Sequence, residues 1–203
     1  MKPVEPIKCK DFPCSDINKN GYLVPAVEIE PEKVKVIMIS EAPPENPADY
    51  FYASGNPFYL KTTIQAFNDA GIPVNSIQEI LDLGFYLTTA IKCTKKQYGV
   101  SAQTVKNCSA VLEKEIAIFP NIEVYMLMGD VAIKAFNYIS KRLTGKNTVP
   151  SGSTYKLRKE KFFYNGKRVF PSYVQTGQNY LIEKSKREMI AEDLAEAARI
   201  IGK

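Results

Sequence analysis

The sequence predicts an α/β fold in which a central, mostly parallel four-stranded sheet lies between two layers of helices. With 203 residues, the chain is long enough to bury one sizeable core. Continuous apolar runs at 34–39, 85–91 and 124–128 are typical of strands buried on both faces. Helical patterns separate these runs, and such alternation favours parallel pairing. We expect one domain over residues 1–203, with residues 1–24 forming an irregular cysteine-bearing arm.

Five helical segments are bounded by Ser, Gly or Pro, the residue types that cap or stop helices. In the longest segment, Ser101 is the expected N-cap and Pro120 follows the end. The five segments cover residues 60–70, 76–83, 101–119, 130–143 and 183–201.

A strongly basic segment is predicted to form a hairpin. Asn165-Gly166, between Tyr155–Tyr164 and Lys167–Phe170, is typical of a type I′ turn. From Lys141 to Arg168 there are nine basic residues and one acidic residue, so the net charge of this segment is +8 and exceeds the net charge of the whole chain, +5. This distribution is typical of a protein that binds a phosphate backbone, although a solvated lysine-rich loop explains it equally well.

The chain has four cysteines and no histidine. It lacks an apolar run of about 18 residues and a signal-peptide core after Met1, so we expect a cytoplasmic protein with no membrane partner. In the cytoplasm, cysteines more often bind metals or remain free thiols than form disulfides. Four thiolates can complete the coordination of zinc or of an iron–sulfur cluster, and we favour ligation by Cys9, Cys14, Cys93 and Cys108 over buried free thiols.

Three short segments could carry chemistry. Glu41 follows the first apolar run, where ligands bind in open parallel sheets, and its carboxylate could orient water or stabilise positive charge. Phe58 begins the next helix and could stack on a ligand, or simply enter the core. Pro171-Ser172 could press on a nucleic-acid strand, or form a plain turn. An exposed loop acid remains the simpler interpretation of Glu41.

In their order along the chain, these segments resemble motifs of the uracil-DNA glycosylase superfamily, most closely its iron–sulfur branch, family 4. Ser40–Pro44 resembles Gly-Glu-Ala-Pro-Gly, and Gly55–Phe58 resembles Gly-Arg-Pro-Phe. Tyr86–Cys93 is similar to Tyr-Ile-Thr-Asn-Val-Val-Lys-Cys, and Phe170–Ser172 is similar to a closing His-Pro-Ser. Further similarities lie at residues 70–72, 108–120 and 128–132.

The resemblance implies a uracil-DNA glycosylase-like fold and hydrolysis of the N-glycosidic bond of a damaged base, uracil or another deaminated base, flipped out of DNA. It makes Glu41 the catalytic residue, beside the attacking water. It implies a monomer with DNA as its partner, and a [4Fe–4S] cluster on the four cysteines, with zinc or no metal as alternatives. The base would be bound by Ala42, Phe58, Thr89 and Phe170. The DNA would be bound by Pro171, Ser172, Lys156, Arg158, Lys159, Lys161, Lys167 and Arg168.

Two departures from the family pattern weaken the case for catalysis. Thr89 replaces the Asn that hydrogen-bonds uracil, and a hydroxyl is shorter and has one proton. Phe170 replaces the His that donates to the leaving base, and single donors of this kind are worth on the order of 2.7–4 kcal/mol in other enzymes. Two alternatives therefore remain: a retired member that only binds nucleic acid, and a plain α/β nucleotide-binding protein with free thiols.

Overall fold

The computed structural model describes Lys2 and residues 7–203, so five residues of the expected N-terminal arm, Met1 and 3–6, lie outside the described part. The strands there are β1 Ile17–Asn18, β2 Val36–Ser40, β3 Phe85–Thr89, β4 Thr94–Lys95, β5 Val124–Met128, β6 Phe162–Tyr164 and β7 Lys167–Ser172. The helices are α1 Phe58–Asp69, α2 Ile77–Asp82, α3 Ala102–Ile116, α4 Asp130–Thr144, α5 Thr154–Leu157, α6 Gln178–Ile182 and α7 Lys184–Ile200. No helix in this part of the chain is long and apolar enough to cross a membrane.

The main sheet has five strands in the order β3-β2-β5-β7-β6. The first four are mutually parallel, and β6 pairs antiparallel with β7 at the edge. The predicted fold class is therefore confirmed, with one antiparallel strand added to the four parallel ones. A separate two-stranded ladder of β1 and β4 joins the N-terminal arm to the segment after β3.

Alternate residues of the central strands face opposite helical layers. Ile37 and Ile39 of β2 pack in the core that α3 and α4 cover. Val36 and Met38 pack in the core that α1 and α7 cover. Every residue of β2, β3 and β5 is buried, which explains why these strands are continuous apolar runs in the sequence.

The predicted hairpin is correct at its turn and wrong in its first arm. Asn165 and Gly166 have φ values of 48° and 77°, as a type I′ turn requires. The strand expected over Tyr155–Tyr164 begins only at Phe162, because the chain forms the helical turn α5 first. Thr154 and Leu157, three residues apart, are both buried, so a helical turn places both on the face that meets the core.

The carboxyl ends of the four parallel strands lie at one edge of the sheet. Ser40 pairs in register with Thr89, and Met128 pairs with Ser172. Gly129 follows β5 with φ 102°, and a Cβ there would lie 2.5 Å from Val174 Cγ2, so this approach requires glycine. The loops after β2, β3, β5 and β7 therefore meet at this carboxyl edge.

Candidate active site at the carboxyl edge

Glu41 lies directly after β2 and opens into a cleft of about 470 Å³. The backbone around it is fixed, because Ala90 and Ile91 donate N–H bonds to the carbonyls of Ser40 and Glu41 at 2.8 and 2.9 Å. Its side chain is 30% exposed, and Oε2 accepts a 3.4 Å bond from Lys95 Nζ. A pair of this length with both side chains partly exposed is weak, which leaves the carboxylate able to accept a hydrogen bond from water.

A buried polar cluster lies beside Glu41 and consists of Ser40, Tyr50, Thr89 and Gln175. All four side chains are at most 4% exposed. Ser40 Oγ donates to Gln175 Oε1 at 3.1 Å. The Tyr50 hydroxyl lies near Thr89, yet neither it, nor Thr89 Oγ1, nor Gln175 Nε2 has a partner of acceptable geometry in the described part of the chain. Sequence reasoning found Thr89 alone among these as a site residue.

The other expected base-binding residues do not share one environment. Phe58 begins α1, is half-buried, and its N–H donates to Asp49 Oδ1 at 3.3 Å. Ala42 is 3% exposed and packs in the core under α3 and α4. Phe170 is 2% exposed inside β7, where it packs in the core under α1 and α7. The structure thus does not bring Phe170 to the cleft, because β7 continues two residues beyond it.

Four of the expected DNA-binding residues are engaged within the fold. Pro171 and Ser172 are buried in β7, and Ser172 Oγ donates to Asp193 Oδ2 at 2.6 Å. Arg158 pairs with Glu192 and Asp193 of α7 at 2.9 and 2.8 Å. Arg168 is 7% exposed, and its guanidinium lies 4.0 Å from the Phe170 ring. These side chains do not form the exposed phosphate-binding loop that the sequence suggested.

The four expected lysines are divided between the two ends of the sheet. Lys156 and Lys159 are exposed in and after α5, whose Thr154 and Tyr155 line the Glu41 cleft. Lys167 begins β7, and its neighbour Arg168 is level with Val124 at the start of β5, so this turn lies at the amino edge. Lys161 lines a cavity with Lys167 there. Of these four lysines, only Lys156 and Lys159 lie in the segment that lines the Glu41 cleft.

Sequence reasoning missed a set of tyrosines around the cleft, which we name the tyrosine rim: Tyr98, Tyr155 and Tyr173. Tyr98 is 93% exposed and Tyr155 is 55% exposed. Each ring has a lysine ammonium near its centroid, at 5.8 Å for Lys95–Tyr98, 4.5 Å for Lys159–Tyr155 and 5.4 Å for Lys186–Tyr173. Exposed aromatic faces beside cations suit single-stranded nucleic acid. Their wide separation in the sequence hides the pattern.

The four cysteines line one cavity of about 380 Å³, on the side of the molecule where the arm meets α3. Burial and the other three thiols raise the pKa of Cys93 to about 12. Burial also raises the pKa of Cys108 to about 11, against the opposing charge of Lys92. The backbone N–H of Lys92 donates to Cys108 Sγ at 3.2 Å. Within the described residues, no group of three or more His, Cys, Asp or Glu side chains could hold a metal ion.

A buried ion pair lies between the cysteine cavity and the polar cluster. Lys92 is 0% exposed, and its ammonium donates to Thr88 Oγ1 at 2.7 Å, to the Thr89 carbonyl at 2.6 Å and to Glu115 Oε2. Tyr86 and Thr88 donate to the other oxygen of Glu115 at 2.8 and 2.7 Å. Every charge here is paired and hydrogen-bonded, the condition for a buried pair to be tolerated.

Two comparisons with known proteins bear on the family of the chain. The sequence profile described as the uracil DNA glycosylase superfamily matches residues 27–198. A type-5 uracil-DNA glycosylase of Thermus thermophilus is 27% identical over 119 residues, which are 59% of this chain. The match spans about half of that relative, 52% of its length. The profile match covers the sheet, Glu41, the tyrosine rim and the polar cluster.

Proposed function

Because the chain belongs to the uracil-DNA glycosylase superfamily, we propose that it hydrolyses the N-glycosidic bond of a deaminated base in DNA. The observation that carries this proposal is the Glu41 carboxylate, which opens into the cleft at the carboxyl edge beside a buried cluster of unpaired polar groups. A carboxylate is what this reaction needs, since water must be oriented and the sugar becomes oxocarbenium-like as the base leaves.

In this mechanism the flipped nucleotide enters from the cleft. Phe58, half-buried and outside the described core clusters, offers a ring on which the base stacks. Glu41 orients the attacking water and its negative charge stabilises the developing positive charge on the sugar. The tyrosine rim and its lysines hold the neighbouring nucleotides by stacking and by charge.

The test is single-turnover excision from oligonucleotides bearing uracil, hypoxanthine or xanthine, with native protein and with Glu41→Gln. Glutamine keeps the size of the side chain and removes its charge, so excision is expected to fall by about 10²–10⁴-fold. Glu45→Gln is the matched control, because Glu45 is an exposed carboxylate in the same loop. Unchanged excision by Glu41→Gln would refute the role of Glu41.

The second candidate is a retired glycosylase-fold protein that binds nucleic acid without cleaving it. It is favoured by the ion pair between Glu41 and Lys95, which occupies one carboxylate oxygen, and by the absence of histidine from the chain. In the same assay this candidate predicts no excision of any of the three bases by native protein, with binding to the oligonucleotides retained.

We further propose that the four cysteines hold a [4Fe–4S] cluster that supports the fold. A tetrahedral zinc site places four sulfurs about 2.3 Å from one ion, and the described residues contain no group that could hold a single ion. A cluster is larger, and four thiols around one cavity suit it better. The lining also carries four lysines, Lys8, Lys10, Lys106 and Lys114, against Asp11, together with Arg142, which pairs with Glu113.

Anaerobically purified protein tests the cluster directly. We expect about four iron and four sulfide per chain, and the loss of both in Cys93→Ser. Stoichiometric zinc without sulfide would replace this proposal with the zinc site, and protein free of both would support plain thiols.

A further inference from the structure

The polar cluster of Ser40, Tyr50, Thr89 and Gln175 combines burial with unmet hydrogen-bonding capacity. Three of its side chains each keep a polar atom without a partner in the described part of the chain. Folded proteins rarely leave buried polar atoms unpaired, because each one costs free energy of folding. Ser40 and Thr89 end β2 and β3 side by side, Gln175 contacts Ser40, and the Tyr50 hydroxyl lies near Thr89. The unmet capacity of Gln175 Nε2 and of these two hydroxyls is what a polar ligand at this place would satisfy.

Ser40 lies against the oxygen end of the Gln175 amide. An amide has an acceptor oxygen and a donor NH2 group. Ser40 Oγ donates to Gln175 Oε1 at 3.1 Å, so the oxygen is occupied and Nε2 is the end without a partner. Gln175 therefore presents N–H donors to a ligand. The hydroxyls of Thr89 and Tyr50 can each donate or accept.

Deamination changes the hydrogen-bonding edge of a base. Cytosine and adenine present an exocyclic amine, which donates, beside a ring nitrogen, which accepts. Uracil and hypoxanthine present a carbonyl, which accepts, beside a ring N–H, which donates. The Gln175 NH2 matches the carbonyl, and a hydroxyl can accept from the ring N–H. Against an amine, two donors would face each other, which leaves both unpaired.

We propose that Gln175, oriented by Ser40 and assisted by Thr89 and Tyr50, reads the carbonyl and N–H edge of a deaminated base and rejects an exocyclic amine. This assignment rests on the proposed function, and it adds Gln175 as the residue that determines specificity. The cluster is closed in the structure. The cleft nevertheless reaches Glu41 and Val174, the chain neighbours of Ser40 and Gln175, so the base enters from there.

The test measures binding separately from cleavage. Oligonucleotides carry one 2′-fluoro nucleotide, which resists glycosidic cleavage, bearing uracil, cytosine, hypoxanthine or adenine. Fluorescence anisotropy gives the ratio of affinities for uracil over cytosine and for hypoxanthine over adenine. Native protein is expected to prefer the deaminated base by about tenfold or more in each pair, which corresponds to about 1.4 kcal/mol.

Gln175→Leu is expected to bring both ratios close to one, and Ser40→Ala to lower them less, because the amide can then present either end. Gln178→Leu is the control, since Gln178 is an exposed glutamine three residues further along. The melting temperature distinguishes a role in reading the base from a role in supporting the fold. Gln175→Leu removes a buried NH2 without a partner, but it also removes the acceptor of Ser40 Oγ, so some loss of melting temperature is expected. The double variant Ser40→Ala/Gln175→Leu leaves no unpaired hydroxyl there, and its ratios should also lie close to one.

Equal ratios in native protein and Gln175→Leu would overturn the assignment, as would a native protein that binds all four bases alike. The proposed function can fail separately. Native protein that shows the preference but excises no base would remove the glycosylase activity and leave the reading role of Gln175 in place. If native protein excises a base but Gln175→Leu keeps the native affinity ratios, the glycosylase activity stands and the role of Gln175 is refuted.

Discussion

Replacing Lys92 with methionine tests the buried ion pair that stands between the cysteine cavity and the polar cluster. Methionine has a similar length and no charge, so the change leaves the Glu115 carboxylate at 0% exposure without its cation. Removing one partner of a buried pair costs about 3–5 kcal/mol, because the remaining charge stays desolvated. The bonds from Tyr86 and Thr88 remain and keep the loss near the lower end of that range.

The assay is urea unfolding followed by circular dichroism, with variants compared at equal iron content because a bound group stabilises the folded state. Lys92→Met and Glu115→Gln should each lose several kcal/mol. The double variant should recover part of that loss, since it leaves no buried charge. Lys33→Met is the control: the Lys33–Glu30 pair is about two-thirds exposed, and its loss should cost less than about 1 kcal/mol.

The reasoning would be refuted if Lys92→Met lost less than about 1 kcal/mol, or if the losses of the two single variants simply added in the double variant. Either result would mean that water reaches the pair or that the core relaxes around the remaining charge. The carbonyl of Thr89 would then not depend on the Lys92 ammonium for its position.

Three other predictions follow from single contacts. Gly129→Ala should lower the free energy of unfolding by about 1–3 kcal/mol, measured with urea, because φ is 102° and Val174 Cγ2 would lie 2.5 Å from the new Cβ. Gly145→Ala is the control and should cost less, because Gly145 has φ 80° but open space around it. Burial acts to raise the pKa of Asp16, but hydrogen bonds from Ser101 and Thr104 hold the pKa below the ordinary 3.8. The stabilising effect of Asp16 is therefore present above about pH 4 and is lost as the pH falls through the lowered pKa. The urea midpoints of native protein and Asp16→Asn should converge in acid, and a constant difference would contradict this. Tyr98→Ala should weaken anisotropy-measured binding of a single-stranded oligonucleotide by about fivefold or more, while Phe163→Ala, an exposed aromatic residue outside the cleft, should not; equal effects would argue against the tyrosine rim.

The sequence predicts the strands and helices well where burial or capping is local. β2, β3 and β5 are buried on both faces, so their residue types alone reveal them. Ser101 accepts the N–H of Thr104 at 3.2 Å, as an N-cap should. The predictions fail where a side chain's partners come from distant parts of the chain. Arg158 is basic in sequence, but α7 supplies Glu192 and Asp193 more than 30 residues later, so its charge is used inside the fold.

Which side chain near the end of β7 belongs to the site depends on strand register, which sequence similarity could not supply. The similarity of Phe170–Ser172 to His-Pro-Ser implied that Phe170 contacts the base. Pairing places Ser172 level with Met128, so β7 ends only there, and Phe170 points into the core two residues earlier. Gln175, three residues after the strand, is the residue whose side chain accepts from Ser40 Oγ. In a chain without histidine, the described site therefore offers an amide donor, held by a serine hydroxyl, beside the carboxylate of Glu41.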